Sequence, residues 1–184
     1  AVGEIGLDYY KHCAVPRPRQ KEVFESLARV GAEAGKPLVI HCRESSPDSS
    51  EAADDTLAIL ENVFSAPALG AAPNGVAHCF QGSLATARRF LARGFLIGVD
   101  GPLTYPSAAA FREVVRQLPI DAIVLETDCP YLPPRRLRGQ RNEPAYLMDV
   151  AEQLAAITGL PLEKVSALTC ANAERLFRNK LTNN

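Results

Sequence analysis

With 184 residues, 47% hydrophobic and 22% charged, the chain has the composition of one globular domain with a core, which excludes a disordered or fibrous protein. Its formal net charge of -1 supplies no global attraction to nucleic acid, so a polyanionic substrate has to be held by a local basic patch or by metal. No apolar run approaches the roughly 20 residues of a membrane span, and no basic region precedes a hydrophobic stretch at the N-terminus, so no membrane partner is expected.

The first strand runs through GEIGLD at 3–8, and because the chain begins inside it without Met, a piece of a longer protein is expected. A loop with Tyr9, Tyr10 and His12 follows, then a helix over 19–35 with Val23, Leu27 and Val30 along one face. Residues 38–41 form the second strand, 45–50 a polar loop, and 54–64 a helix on Leu57, Leu60 and Phe64. A small-residue, Pro-rich loop covers 66–74. The third strand ends at His78, after which Ser83 caps a helix to Arg93 that Gly94 stops. A fourth strand at 95–99, a helix capped by Ser107 and ending near Leu118, and a fifth strand at 120–127 come next. Asn142 is placed to cap a helix with Pro144 in its first turn and Tyr146, Leu147, Val150 and Leu154 at helical spacing. Two short helices over 162–168 and 171–178 close the chain.

This alternation predicts an α/β fold with a parallel sheet, in one domain over 1–184. An eight-stranded β/α barrel usually takes about 250 residues, and about five parallel strands alone leave buried-type edges facing water. Either the sheet is open or strands are missing from an incomplete barrel with surrounding helices, and the second is favoured.

Four apolar runs end on metal-ligand types: Glu4 in GEIGLD, His41 in PLVIHCR, His78 in GVAHCF and Asp128 in IVLETD. Taken singly, such a His is more often a hydrogen-bonded partner, and such a carboxylate a cap or salt-bridge member. Four at four strand ends point to a shared metal site, since parallel barrels present functional groups at the C-terminal ends of their strands. Two imidazoles and two carboxylates suit Zn2+, Mn2+ or another borderline cation. Two metals can polarise a phosphoryl oxygen, activate the attacking water and stabilise the departing oxygen. Arg43 either binds phosphate bidentately or pairs with Glu44 on the surface. Glu126 shares a face with Asp128 and either orients a ligand or holds an arginine. Arg135, Arg136, Arg138 and Arg141 form a candidate basic patch, or a solvated loop.

Five irregularly spaced cysteines make neither a CxxC zinc pattern nor a disulfide framework, which points to reduced thiols in a cytoplasmic or nuclear protein. Cys42, Cys79 and Cys129 each follow a candidate ligand, so strand alternation turns them toward the helix layer as small hydrophobes. GxSxG, P-loop and dinucleotide signatures are absent, and no organic cofactor is expected.

In chain order, GEIGLDYY at 3–10, PLVIHCRE at 37–44, HCFQG at 78–82, GFLIGVDG at 94–101, LETDCPYL at 125–132, RNEP at 141–144 and NAERLF at 172–177 resemble the TatD-type metal-dependent deoxyribonucleases. The resemblance spans almost the whole chain. It implies a TIM-type (β/α) barrel, of which this chain would be the C-terminal two-thirds. It also implies a centre of two divalent metal ions (Mg2+, Mn2+ or Zn2+) that hydrolyses DNA phosphodiesters, commonly as a 3′-to-5′ exonuclease preferring single strands. On this resemblance Glu4 bridges the metals, His41 and His78 bind one, and Asp128 binds the other and helps to activate water. Arg43 and Arg141 lie near the DNA substrate. The His-x-His strand that opens the family is absent here, and His12, in a loop, cannot replace it. Asp100 stands where the family usually has Ser, and the His41-to-His78 interval is longer than usual; both changes are expected to remodel rim loops. The competing readings are a metal-dependent hydrolase of a small phosphoester, lactone or amide, and a noncatalytic fragment or binding module lacking half of the metal site. Nothing in the sequence fixes the oligomeric state.

Overall fold

The computed structural model describes residues 1–65 and 71–178, so part of the loop expected at 66–74 lies outside the described residues. Five parallel strands carry the fold in the sheet order β1-β2-β3-β4-β5, each neighbour in the sheet being the next in sequence. This is the strand succession of a TIM-type α/β fold, with helices as the crossovers that parallel pairing demands. The chain divides into two compact units: one of Ala1–His78, Ala85–Leu96 and the segment from Arg175, the other of Cys79–Leu84 and Ile97–Glu174.

In the first unit β1 (Val2–Asp8) pairs with β2 (Leu38–Arg43), Ile5 against Ile40, Gly6 against His41 and Asp8 against Arg43, with an irregular register between Val2 and Ile5. β2 pairs in turn with β3 (Gly75–Ala77), and the His78 N–H extends that ladder to the Ile40 carbonyl at 2.9 Å. Gly6, at φ 151°, permits the close approach of β1 to β2: a Cβ there would lie 1.9 Å from the His41 carbonyl oxygen. Leu7, Leu38 and Ile40 are fully buried beneath the helices α1 (Arg17–Glu33) and α2 (Glu51–Val63).

The face that α1 buries is not the one its largest aliphatics suggest. Phe24, Ala28 and Gly31 pack inward, while Val23, Leu27 and Val30 are exposed, Val30 to 55%. The reason is close packing. A Cβ on Gly31 would stand 2.3 Å from Leu38 Cδ2, so only a stripe of small residues around one aromatic lets the helix lie this near the strand. α2 buries Leu57 and Leu60 as its spacing predicts, and its N-terminus is capped from a distance. Glu44 accepts the N–H groups of Ala52 and Ala53 at 3.0 and 2.8 Å, where a carboxylate also complements the helix dipole. α3 (Leu84–Ala92) begins one residue past Ser83, and Gly94 follows it at φ 76°.

β4 (Phe95–Val99) carries the chain into the second unit, where Ile97, Gly98 and Val99 pair with Ile123, Val124 and Leu125 of β5 (Ile123–Leu125). β5 is shorter than the strand expected at 120–127 because a 3-10 turn closes over Ile120–Ala122, the Ala122 N–H reaching the Pro119 carbonyl. The helix expected after Ser107 is α4 (Ala109–Arg116), preceded by 3-10 turns. Asn142 caps no helix; a 3-10 turn at Pro144–Tyr146 precedes α5 (Leu147–Thr158), and Asn142 instead bonds the Tyr131 carbonyl through Nδ2 at 2.7 Å. The two short closing helices are one, α6 (Leu162–Arg178), since Thr169 Oγ1 donates to the Val165 carbonyl within the helix and does not interrupt it. From α6 the buried Asn172 donates to the carbonyls of Ile120 and Ile123 at 2.8 and 2.7 Å, pinning the start of β5. Among the described residues no single helix is long and apolar enough to cross a membrane.

All five cysteines are free. Cys79 sits past the end of β3, half-buried beside Asp100, whereas Cys42 turns toward the helix layer as expected, its Sγ 3.8 Å from Thr56 Oγ1 of α2, and burial pushes its thiol up to about 12. Cys129 does not turn inward, because it sits past the end of β5 in an exposed turn. Ellman's reagent at pH 8 should therefore titrate three thiols rapidly (Cys13, Cys129 and Cys170) and two only on unfolding. Five fast thiols would contradict this packing.

Candidate metal centre

The first unit brings three of the four predicted ligands together. His41, on β2, places Nδ1 2.7 Å from Glu4 Oε1, and His78, one residue beyond β3, places Nε2 3.9 Å from the same oxygen. Glu4 does not end its strand as the sequence suggested; it is the third residue of β1, which continues to Asp8. It reaches His41 because the β1–β2 register is irregular between Val2 and Ile5, and an irregular register is a standard means of re-aiming a side chain.

Asp8 is the residue that the sequence reading missed. Its Oδ2 lies 3.3 Å from His41 Nε2, so both ring nitrogens of His41 face carboxylate oxygens. Carboxylates only accept, which makes the doubly protonated imidazolium the matching form. The hydrogen bond to Glu4, reinforced by both carboxylate charges, raises the His41 pKa against the effect of burial. The same hydrogen bond holds the Glu4 carboxyl below its usual range, with smaller help from the charges of His41 and His78. The signal was present: Glu4, Gly6 and Asp8 share one face at strand period, with a glycine clearing the space between two acids.

In the second unit Glu126 and Asp128 follow β5. The Glu126 N–H continues the ladder to Val99 O at 3.0 Å, and its Oε1 accepts the N–H of Cys79, whose φ is 47°. Gly98 makes room, since a Cβ there would lie 2.5 Å from Glu126 Oε1. Of the two roles left open for Glu126, this contact, with the backbone next to a candidate ligand, fits the first. Asp100, expected to alter a rim loop, is instead fully buried. Its charge and hydrogen bond add to burial in raising the pKa of the Cys79 thiol.

The arginines separate by their partners. Glu44 is engaged at the start of α2, and Arg43 lies over the Tyr10 ring at 4.1 Å from its centre. Arg136 grips the Asp149 carboxylate through Nε and Nη2, and Arg138 sits 5.1 Å from the Tyr105 ring centre. Arg141 lines a cleft of about 390 Å³ with Cys129, Pro130, Asn142, Glu143 and Pro144.

The donor types of Glu4, His41 and His78 suit a borderline divalent cation. Their spacing is that of a hydrogen-bonded chain, with Glu4 and His41 in direct contact, and among the described residues no group of three His, Cys, Asp or Glu has a geometry that could hold a metal ion. Taking up a cation requires the Glu4–His41 contact to open.

The sequence model of one family, described as TatD related DNase, matches residues 1–178. A Bacillus subtilis (strain 168) relative, named uncharacterized metal-dependent hydrolase YabD, is 39% identical over 178 residues, covering 97% of this chain and 65% of its own length. The 3'-5' ssDNA/RNA exonuclease TatD of Citrobacter rodentium (strain ICC168) is 36% identical over 182 residues, covering 96% and 64%. Among solved structures, YJJV, a TatD homolog from Escherichia coli K12, superposes with a TM-score of 0.81 at 30% identity, covering 96% of this chain and 63% of that one. The chain therefore spans less than two thirds of the length of each of these relatives.

Glu126→Ala should lower stability to urea by about 1–3 kcal/mol, the cost of stranding a half-buried donor from a charged acceptor. Glu126→Gln keeps an acceptor and should lose less than half of that, whereas Gly98→Ala should be at least as damaging as the alanine variant. A neutral Gly98→Ala would show that the carboxylate is not held against β4.

Proposed function

The chain belongs to the TatD related DNase family, and on that footing we propose that it carries the larger share of a metal-dependent hydrolase that cleaves phosphodiester bonds in nucleic acid, acting on single strands from the 3′ end. The observation that carries the reading is the meeting of Glu4, His41 and His78 from three successive parallel strands on one carboxylate oxygen. The exonuclease named among its relatives supports the substrate class.

A divalent ion held by Glu4, His41 and His78 would supply Lewis acidity toward a phosphoryl oxygen and a more acidic water. The chain's own residues do the rest. Asp8, at His41 Nε2, would keep the imidazole in one orientation once the Glu4 contact opens. Glu4, kept ionised, offers an oxygen that is already oriented toward both imidazoles. Asp128 is assigned to metal and to accepting a proton from water, and Arg43 and Arg141 to substrate phosphate, for which a planar guanidinium is matched. Five free thiols fit a reducing compartment, cytoplasm or nucleus.

A second reading, a noncatalytic portion, is favoured by one observation, the direct Glu4–His41 contact without a three-donor cage among the described residues. The two separate in one assay. Under the first, Mn2+-supplemented protein releases mononucleotides from a single-stranded oligonucleotide, EDTA abolishes release, and His78→Ala lowers the rate about 100-fold or more. Hydrolysis that survives both treatments would overturn the metal assignment, and no hydrolysis with any divalent metal would favour the second reading.

A further inference from the structure

The loop that follows β1 is held firmly at its base. Gln20 of α1 accepts the Asp8 N–H through Oε1 at 2.8 Å and donates to the Asp8 carbonyl at 2.9 Å and the Val15 carbonyl at 2.8 Å. Tyr9 is buried, with its hydroxyl donating to Asp55 Oδ2 at 2.6 Å, and its N–H reaches the Arg43 carbonyl at 2.9 Å. Asp8 Oδ1 accepts the Tyr10 N–H at 2.9 Å, and the Tyr10 carbonyl accepts the Cys13 N–H, also at 2.9 Å.

What this frame presents outward is an aromatic and cationic surface. The Tyr10 ring has the Arg43 guanidinium 4.1 Å from its centre, Lys11 Nζ at 5.9 Å, and the His12 ring edge-on at 5.3 Å. Lys11, His12 and Arg43 are exposed, and among the described residues neither Arg43 nor Lys11 enters an ion pair. The neighbouring Arg17–Tyr9 stack differs on both counts, because its tyrosine is buried and its arginine pairs with Glu51. In a chain of net charge -1, two uncompensated cations beside two outward rings form a local attraction for an anion joined to a flat ring system.

We propose that Tyr10, Lys11, His12 and Arg43 form a holding site for one unpaired nucleotide of a single strand, its base against the Tyr10 and His12 rings and its phosphate on Arg43 and Lys11. The proposal rests on the nucleic-acid reading above and adds the reason for a single-strand preference: a base still paired in a duplex cannot offer its face to a side-chain ring. Asp8 ties this site to His41, since its two oxygens face the Tyr10 N–H and His41 Nε2.

The test is binding of a fluorescein-labelled single-stranded oligonucleotide in EDTA, read by anisotropy, against the same oligonucleotide with one abasic position. The unaltered chain should hold the intact strand about tenfold more tightly than the abasic one, the range expected for loss of one base-to-ring stack. Tyr10→Leu should weaken the intact strand by a similar factor and erase the difference between the two, whereas Tyr10→Trp should keep it. Arg43→Ala should shallow the salt dependence by about one phosphate contact. Equal binding of intact and abasic strands by the unaltered chain would overturn the nucleotide site while leaving the nucleic-acid reading in place. Binding of neither would overturn both.

Discussion

His41 lies between two carboxylates, and the first unit has a site only because of that contact. An imidazole ring bonded at both nitrogens has no rotational freedom left, and each acid is drawn toward it by charge as well as by hydrogen bonding. The contact depends in turn on how near β1 comes to β2. Gly6 is the residue opposite His41, and any side chain there would collide with the His41 carbonyl. One missing methyl group therefore decides whether Glu4 and Asp8 can flank the ring.

The second unit uses a related device. Gly98 on β4 leaves the space into which Glu126 projects from the end of β5, and the carboxylate takes the Cys79 N–H at a residue held in the left-handed region. A carboxylate that accepts a backbone donor helps to hold the chain direction of the turn after β3. In both units a glycine is the condition for an acid to act, Gly6 for the acids of its own strand and Gly98 for Glu126 at the end of the neighbouring one.

The strands were legible in the sequence because most are short apolar runs, and the chain order of βα units left few other topologies. The α1 face was not, because periodicity weighs side-chain size whereas the packed structure rewards a close backbone: Gly31 and Ala28 contribute little hydrophobicity but are the residues α1 buries, Gly31 directly over Leu38. Asn142 and the Pro-containing segment around it misled for another reason. A cap and a loop tether use the same side-chain amide, and only the position of the Tyr131 carbonyl decides between them. His41 and His78 could be grouped from their places at strand ends, whereas Glu4 joins them through the irregular β1 register and Asp8 required knowing that its two oxygens find different partners. Glu126 required the empty side of Gly98, which no spacing rule contains.

Those two oxygens of Asp8 have a thermodynamic consequence. One carboxylate serves both an imidazole and the amide of Tyr10, so its orientation is a variable common to two places on the surface. By reciprocity, whatever free energy a molecule seated against Tyr10 gains from a favourable Asp8 rotamer, a molecule seated at His41 gains in equal measure, and one that turns Asp8 away at either place weakens the other by the same amount. Cooperativity between the two places then needs no moving domain: a single torsion is enough.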